Sequence, residues 1–203
     1  ASISHDLQTP ITRMKLRVEM ADQPELRDKL MNDLDNMSRL VREGIAYARS
    51  SESLEEMPLR MELNAWVNSI ACDYQDIGKN VQFQAGEARL PIVTRPQALR
   101  RVMTNLLDNA LKFGDHAIIE IEEVDPEQVV IHIIDGGPGI PEAELDAVLQ
   151  PFYRVETSRN RDTGGTGLGL AIAAQLTVQL EGKLHLANRT EGGLDVSITL
   201  PRR

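Results

Sequence analysis

Leu26, Leu30, Leu34, Met37, Val41, Ile45 and Ala48 recur at three- and four-residue intervals, the spacing that lays side chains along one face of an α-helix. Upstream, Ile3, Leu7, Met14, Val18 and Ala21 form a second stripe at helical spacing. It ends at "ADQPE", where Pro24 suits the first turn of a new helix. Two amphipathic helices joined by a short turn make an antiparallel hairpin. One hairpin cannot bury both stripes, and pairing with a second copy into a four-helix bundle is the simplest arrangement that does. Residues 1–52 are therefore expected to be a dimerising α hairpin.

The period changes after "SSESLEEMP", whose serines, acids and Pro58 read as a linker over 53–59. From residue 60 to 203, "NVQFQA", "AIIEIEEV", "QVVIHIID", "KLHLAN" and "GLDVSITL" alternate with the two-residue period of strands. "LNAWVNSIACDY", "RPQALRRVMTNLLDNALKF", "EAELDAVLQ" and "LGLAIAAQLTVQL" read as helices. Intermixed strands and helices, with neighbouring strands on short polar turns such as "DPEQ" and "TEGG", predict an α/β sandwich on a mixed, mostly antiparallel sheet.

Composition narrows the partners. Hydrophobic residues make up 41% of the 203 and aromatics only 3%, so aliphatic side chains must fill the core. A net charge of −9 argues against nucleic acid or an anionic membrane surface as a main partner. A polyanionic ligand would need a metal and local backbone donors to offset that charge. The single cysteine, Cys72, excludes an internal disulfide, and its apolar surroundings predict a buried side chain. No run approaches the roughly 18 apolar residues of a membrane span. With no starting Met and with His5 so close to the first residue, the sequence reads as a piece of a longer chain, so that absence concerns this piece alone.

Three features carry chemistry. His5 and Thr9 lie one helical turn apart, roughly opposite the apolar stripe, with Asp6 beside the histidine and Pro10 just beyond. On its own, an exposed helical histidine is inert. Asn105 and Asn109 break the apolar run "VMTNLLDNALKF" on one helix face, with Lys112 one turn on; carboxamide oxygens suit Mg²⁺ and an ammonium suits phosphate. Two glycine-rich stretches, "IIDGGPGIP" and "TGGTGLGLAI", follow a strand and open a helix. The second can turn backbone N–H groups and a helix N-terminus towards phosphate. Neither is a P-loop or a dinucleotide fingerprint. Taken singly, each glycine run is a turn and the asparagines are surface residues; together they point to a nucleotide.

In order and spacing, "SHDLQTP", "NLLDNALKF", "DGGPGI", "PFYR" and "GGTGLGLAI" resemble the H, N, G1, F and G2 boxes of sensor histidine kinases, across essentially the whole chain. "SHDLQTPITRMKLR" is similar to the osmosensor-type, membrane-anchored branch, whose partners are winged-helix DNA-binding response regulators. The resemblance implies a histidine-kinase/chaperone-type ATPase fold for residues 60–203, with ATP and Mg²⁺ as cofactors. His5 would be the phosphoacceptor, Asp6 the acid that orients or deprotonates it, and Thr9 the hydroxyl used in phosphatase activity. Asn109 would be the main Mg²⁺ ligand, with Asn105 in support. Lys112 and Phe113 match phosphate- and adenine-adjacent positions. Asp135 matches the acceptor for the adenine amino group, in a pocket shaped by Gly137 and Gly139. Gly165, Thr166, Gly167, Leu168 and Gly169 match the phosphate-cradling end of the ATP lid. Arg154, and more weakly Arg159, match a lid arginine. Two positions depart from the family: Leu149 replaces the first F-box aromatic, leaving Phe152 and Tyr153 to anchor the lid, and Gly136 stands where Asp or Asn is frequent.

These implications describe a homodimeric protein histidine kinase that passes a phosphoryl group from His5 to an aspartate of a response-regulator receiver domain and also acts as its phosphatase. It would be the cytoplasmic portion of an inner-membrane bacterial sensor, with no nucleic-acid or membrane contact of its own. The competing readings are a non-catalytic dimeric nucleotide-binding module that docks a regulator, and an ATPase of the chaperone, topoisomerase or mismatch-repair kind, in which the hairpin with His5 has no role. Pro10, lacking an N–H, is expected to bend the helix just past the acceptor. His116, His132 and His185 are read as structural.

Overall fold

The computed structural model describes residues 2–20, 23–50, 56–86, 89–155 and 166–202, with the side chains of residues 2–9, 49 and 50 outside that description. The chain divides into two compact units, Ala1–Arg49 and Ser50–Arg203.

The first unit holds two helices, α1 (Ser2–Glu19) and α2 (Pro24–Ser50). α1 contains Pro10 and continues beyond it to Glu19. Lys15 of α1 forms an ion pair with Asp35 of α2. Ile11, Leu34 and Ser38 are buried, whereas Met14, Leu16, Leu26, Leu30, Met37 and Leu40 are exposed. Met14, Leu26, Leu30 and Met37 of the two apolar stripes thus lie open on a single copy.

The second unit is a two-layer sandwich. Its main sheet has the order β2-β4-β5-β7-β6, with β2 (Val81–Gln84), β4 (Ala117–Asp125), β5 (Gln128–Asp135), β6 (Lys183–Asn188) and β7 (Leu194–Pro201). β2 and β4 are parallel and the other neighbours antiparallel, the mixed, mostly antiparallel arrangement that the alternation predicts. One sheet face carries Val81, Ile119, Val129, Ile131, Ile133, Val196 and Ile198, all buried. Against it lies the buried side of three helices, α3 (Leu63–Asp76), α4 (Pro96–Gly114) and α5 (Gly169–Gln179), including Val67, Ile70, Leu99, Met103, Leu106, Leu107, Ile172 and Leu176. Dense aliphatic packing of this kind replaces the missing aromatics.

Three expectations need correction. A second, two-stranded sheet pairs β1 (Leu59–Glu62) with β3 (Pro91–Thr94). Neither run is among the stretches read as strands from the sequence, since both lie beside proline-containing segments that read as linker or turn. "EAELDAVLQ" does not form one α-helix; it makes two short 3₁₀ turns, Glu142–Glu144 and Ala147–Leu149. Cys72 is exposed: the buried face of α3 is Leu63, Val67, Ile70 and Ala71, and position 72 points past its edge.

Local chemistry sets where the helices start. Glu62 caps α3 from the end of β1, accepting the N–H groups of Asn64 and Ala65 at 3.3 and 2.6 Å and that of Leu90 at 3.0 Å. Burial works to raise the Glu62 pKa, but these three hydrogen bonds and the charge of Arg89 outweigh it and hold the carboxyl below its ordinary value. At the start of α4, Arg95 gives no side-chain cap. Glu56 supplies it instead, accepting the N–H groups of Gln97 and Ala98 at 2.8 and 3.0 Å.

Candidate functional site

α4 brings its polar residues to the edge of the sandwich. Asn105 is half-buried, and its Nδ2 donates to the Arg101 carbonyl at 2.6 Å. Its Oδ1 lies 3.4 Å from where a Cβ on Gly169 would stand, so the asparagine face and the opening of α5 meet. Asn109 is also half-buried, and among the described residues none hydrogen-bonds its carboxamide. A partly desolvated carboxamide with free lone pairs fits a hard cation. Lys112 is exposed, its Nζ 4.8 Å from the centroid of the Phe113 ring. Tyr74 of α3 braces the outer side of α4, donating to Asp108 Oδ1 at 2.7 Å. Burial, then this bond and the Asp108 charge, push the Tyr74 hydroxyl above its ordinary pKa and keep it a donor.

The end of β5 meets the end of α4. Asp135, the last residue of β5, is only 4% exposed. Its Oδ1 accepts the N–H groups of Gly137 at 2.8 Å and Leu194 at 3.2 Å. Among the described residues no donor reaches Oδ2, so one oxygen of a buried, oriented carboxylate remains for an outside N–H. Glycines permit this packing. A Cβ on Gly114 would sit 2.7 Å from Asp135 Cβ, one on Gly137 2.9 Å from the Phe113 carbonyl oxygen, and one on Gly193 2.0 Å from the Asp135 carbonyl oxygen. The departure at Gly136 has a neighbour to explain it. A Cβ there would lie 2.5 Å from His116 Cε1, so the His116 ring occupies the space a side chain would take.

The opening of α5 faces the same region. Leu168 precedes the helix and offers no side-chain cap, which leaves the first N–H groups of α5 for an anion. Leu168 is fully buried and Thr166 nearly so, so both residues anchor the chain in the core just before the helix opens. Gly167 has φ +74°, and a Cβ on it would strike the Tyr153 carbonyl oxygen at 2.6 Å. The N–H of Phe152 donates to the Gly167 carbonyl at 2.9 Å. This bond ties Phe152, just past the second 3₁₀ turn, directly to the residues that precede α5. Phe152 itself has φ +65° and its side chain is 61% exposed. Tyr153 reaches Glu144 Oε2 at 3.0 Å. Neither ring is buried: Phe152 is held by its backbone bond and Tyr153 by its hydroxyl, and the segment the two were expected to anchor lies outside the described residues.

The structure brings Asn105 against Gly169, and Asp135 and the Phe113 backbone against Gly137, while Gly139 lies against Asn188 and Gly167 against Phe152 and Tyr153. His5, Asp6 and Thr9 lie in α1, with side chains outside the described residues; Gly165 and Arg159 lie outside them altogether. Arg154 is half-buried at the base of that segment. Sequence reasoning missed Gly114, Gly193 and Asn188. Of these, Gly114 followed by Asp115 carried a signal: Asp115 takes the left-handed turn, φ 59°, that glycine usually supplies, which reserves Gly114 for close contact. His132 is held by Asp195 and Glu122, as a structural histidine. Among the described residues no helix is long and apolar enough to cross a membrane.

Residues 94–203 match the family of histidine kinase-, DNA gyrase B- and HSP90-like ATPases. The chain is 40% identical over 202 residues to the sensor histidine kinase GtrS of Pseudomonas aeruginosa, covering 100% of this chain and 41% of that protein. It is 32% identical over 216 residues to the sensor histidine kinase CpxA of Escherichia coli K12, covering 99% of this chain and 46% of that protein. The chain therefore spans less than half the length of these relatives. Among solved structures, full-length ShkA in complex with AMPPNP superposes with a TM-score of 0.76 at 21% identity, over all of this chain and 45% of the other, a likeness of fold. With a matching domain across more than half its length, the chain belongs to the histidine kinase-, DNA gyrase B- and HSP90-like ATPase family, and the relatives that match it from end to end are sensor histidine kinases.

Proposed function

We propose that this chain is the catalytic portion of an ATP-dependent protein histidine kinase. The observation that carries the reading is Asp135: a buried carboxylate, held by two backbone N–H groups on one oxygen and open on the other, with Gly114, Gly137 and Gly193 packed against it. Such a group selects a ligand amino group such as that of adenine. In this reading Gly137 and Gly139 admit the base, and Phe113 and Lys112 border it. Gly165, Thr166, Gly167, Leu168 and Gly169 present backbone donors to the phosphates, and Arg154 adds charge near the transferred group. Asn109, with Asn105 beside it, would hold Mg²⁺, which when bound offsets phosphate charge. Residues 1–52 form the dimerising hairpin of a four-helix bundle, 53–59 the linker, and 60–203 the ATP-binding domain.

The chemistry is phosphoryl transfer. A neutral His5 ring nitrogen attacks the γ-phosphorus in line while the bond to the β–γ bridging oxygen breaks and ADP leaves. Asp6 keeps the other ring nitrogen protonated, so the attacking one carries the lone pair. The phosphoryl group then passes to an aspartate of a receiver domain, and Thr9 positions water for the reverse, hydrolytic role. The winged-helix type of regulator and the osmosensor-type branch rest on the motif around His5 alone. So does placement as the cytoplasmic part of an inner-membrane sensor. Incubation with γ-labelled ATP and Mg²⁺ tests the proposal: base-stable, acid-labile label on the chain, lost in His5→Ala, is expected. Nucleotide binding with no label would leave a non-catalytic docking module, and sustained ATP turnover without phosphoprotein would favour an ATPase of another kind.

A further inference from the structure

At the far end of the Asp135–Ile140 loop, one side chain grips the backbone. Asn188, the last residue of β6, accepts the Ile140 N–H on Oδ1 at 2.9 Å and donates from Nδ2 to the Ile140 carbonyl at 2.6 Å. The same Nδ2 lies 2.9 Å from Glu142 Oε1. A single carboxamide thus pairs both polar groups of one residue, as a neighbouring strand would. Gly139 fits beneath it at φ +71°, where a Cβ would come within 2.5 Å of Asn188 Oδ1.

The near end of the loop is held from the same place. Leu194, the cross-strand partner of Asn188 in the β6–β7 pairing, donates its N–H to Asp135 Oδ1. Its neighbour Gly193 (φ +89°) presses against the Asp135 carbonyl. One rung of the sheet edge therefore fixes both ends of the loop.

We infer that Asn188 is a positioning residue for base recognition: with Leu194 it sets the span of the 135–140 loop and so the alignment of Asp135 with an adenine. This rests on the proposed ATP site and adds to it a residue that none of the sequence boxes contains. Without the carboxamide, the Ile140 N–H and carbonyl lose their partners and turn to water, and the loop relaxes away from the base. The consequence falls on the base-reading end rather than on the phosphates.

The test is titration of the 203-residue chain with ADP and with GDP. Asn188→Ala should weaken ADP binding about tenfold while changing GDP binding little, so that discrimination between the bases shrinks. In labelling assays the ATP concentration for half-maximal rate should rise while the rate at saturation is kept. Asn188→Asp preserves size and the acceptor for the Ile140 N–H, and loses both donations. If Asn188→Ala does not fold, the aspartate variant carries the test, with the same fall in discrimination expected. Arg189→Ala, on the adjoining turn, should leave ADP affinity unchanged. Unchanged ADP affinity in Asn188→Ala, or equal loss for both nucleotides, overturns the inference and leaves the ATP site standing. A parent chain that binds no adenine nucleotide removes both.

Discussion

Glu56→Ala is expected to destabilise the second unit through a helix that Glu56 does not belong to. Pro96 opens α4 without an N–H, and the next two donors, Gln97 and Ala98, both end on the Glu56 carboxylate. Arg95 locks the same strand of chain in place. Its Nε donates to the Glu56 carbonyl at 3.0 Å and its Nη1 to the Gln179 carbonyl, at the end of α5, at 2.9 Å. Losing a side-chain cap costs about 1 kcal/mol, and removing a carboxylate from a helix N-terminus adds about 0.5 kcal/mol at a partly exposed site. The sum, about 1.5 kcal/mol, corresponds to a fall in melting temperature of roughly 3–6 °C for a unit of this size. Glu56→Gln keeps one acceptor oxygen and loses the charge, and should fall about midway. Thermal unfolding followed by circular dichroism reads the shift. Hydrogen exchange locates it, because the Gln97 and Ala98 amides should exchange faster while that of Leu99, bonded to the Arg95 carbonyl at 3.0 Å, stays protected. A shift of less than about 1 °C with unchanged exchange at both amides would refute the reasoning.

The Glu62 cap should reveal itself by pH. A carboxylate held below its ordinary value of 4.5 contributes stability that is present above that value and lost as pH falls through the lowered one. Glu62→Gln should therefore melt below the parent at neutral pH, with the gap closing on acidification; a gap independent of pH contradicts this. Gly193→Ala forces a Cβ to within 2.0 Å of the Asp135 carbonyl oxygen at φ +89°. It should cost about 3 kcal/mol by urea denaturation and weaken ADP binding. An alanine variant of parental stability would show that the β6–β7 turn yields freely.

What was legible in the sequence is what obeys a local period or lies in one short run. β5 and β7 read from their alternation, and α4 placed Asn105, Asn109 and Lys112 together because three- and four-residue spacing is enough for that. The glycines from Gly167 to Gly169 announced the opening of a helix. What could not be read depends on contacts made across the chain. Glu56 caps a helix about forty residues away, and Asn188 grips Ile140 from the far strand. Gly193 looks like any turn glycine until Asp135 is placed against it. Cys72 is a different case: the helical spacing of Leu63, Val67, Ile70 and Ala71 already excluded it from the buried face, and the apolar surroundings misled.

The central claim is that this chain carries its phosphoryl acceptor at His5 and its nucleotide at Asp135. Peptide mass spectrometry at neutral to basic pH, after brief exposure to ATP and Mg²⁺, tests both halves at once. The account predicts one phosphorylated residue, His5, in the parent chain, and none in Asp135→Ala. Phosphate on another residue, or undiminished His5 phosphorylation without the Asp135 carboxylate, would contradict it.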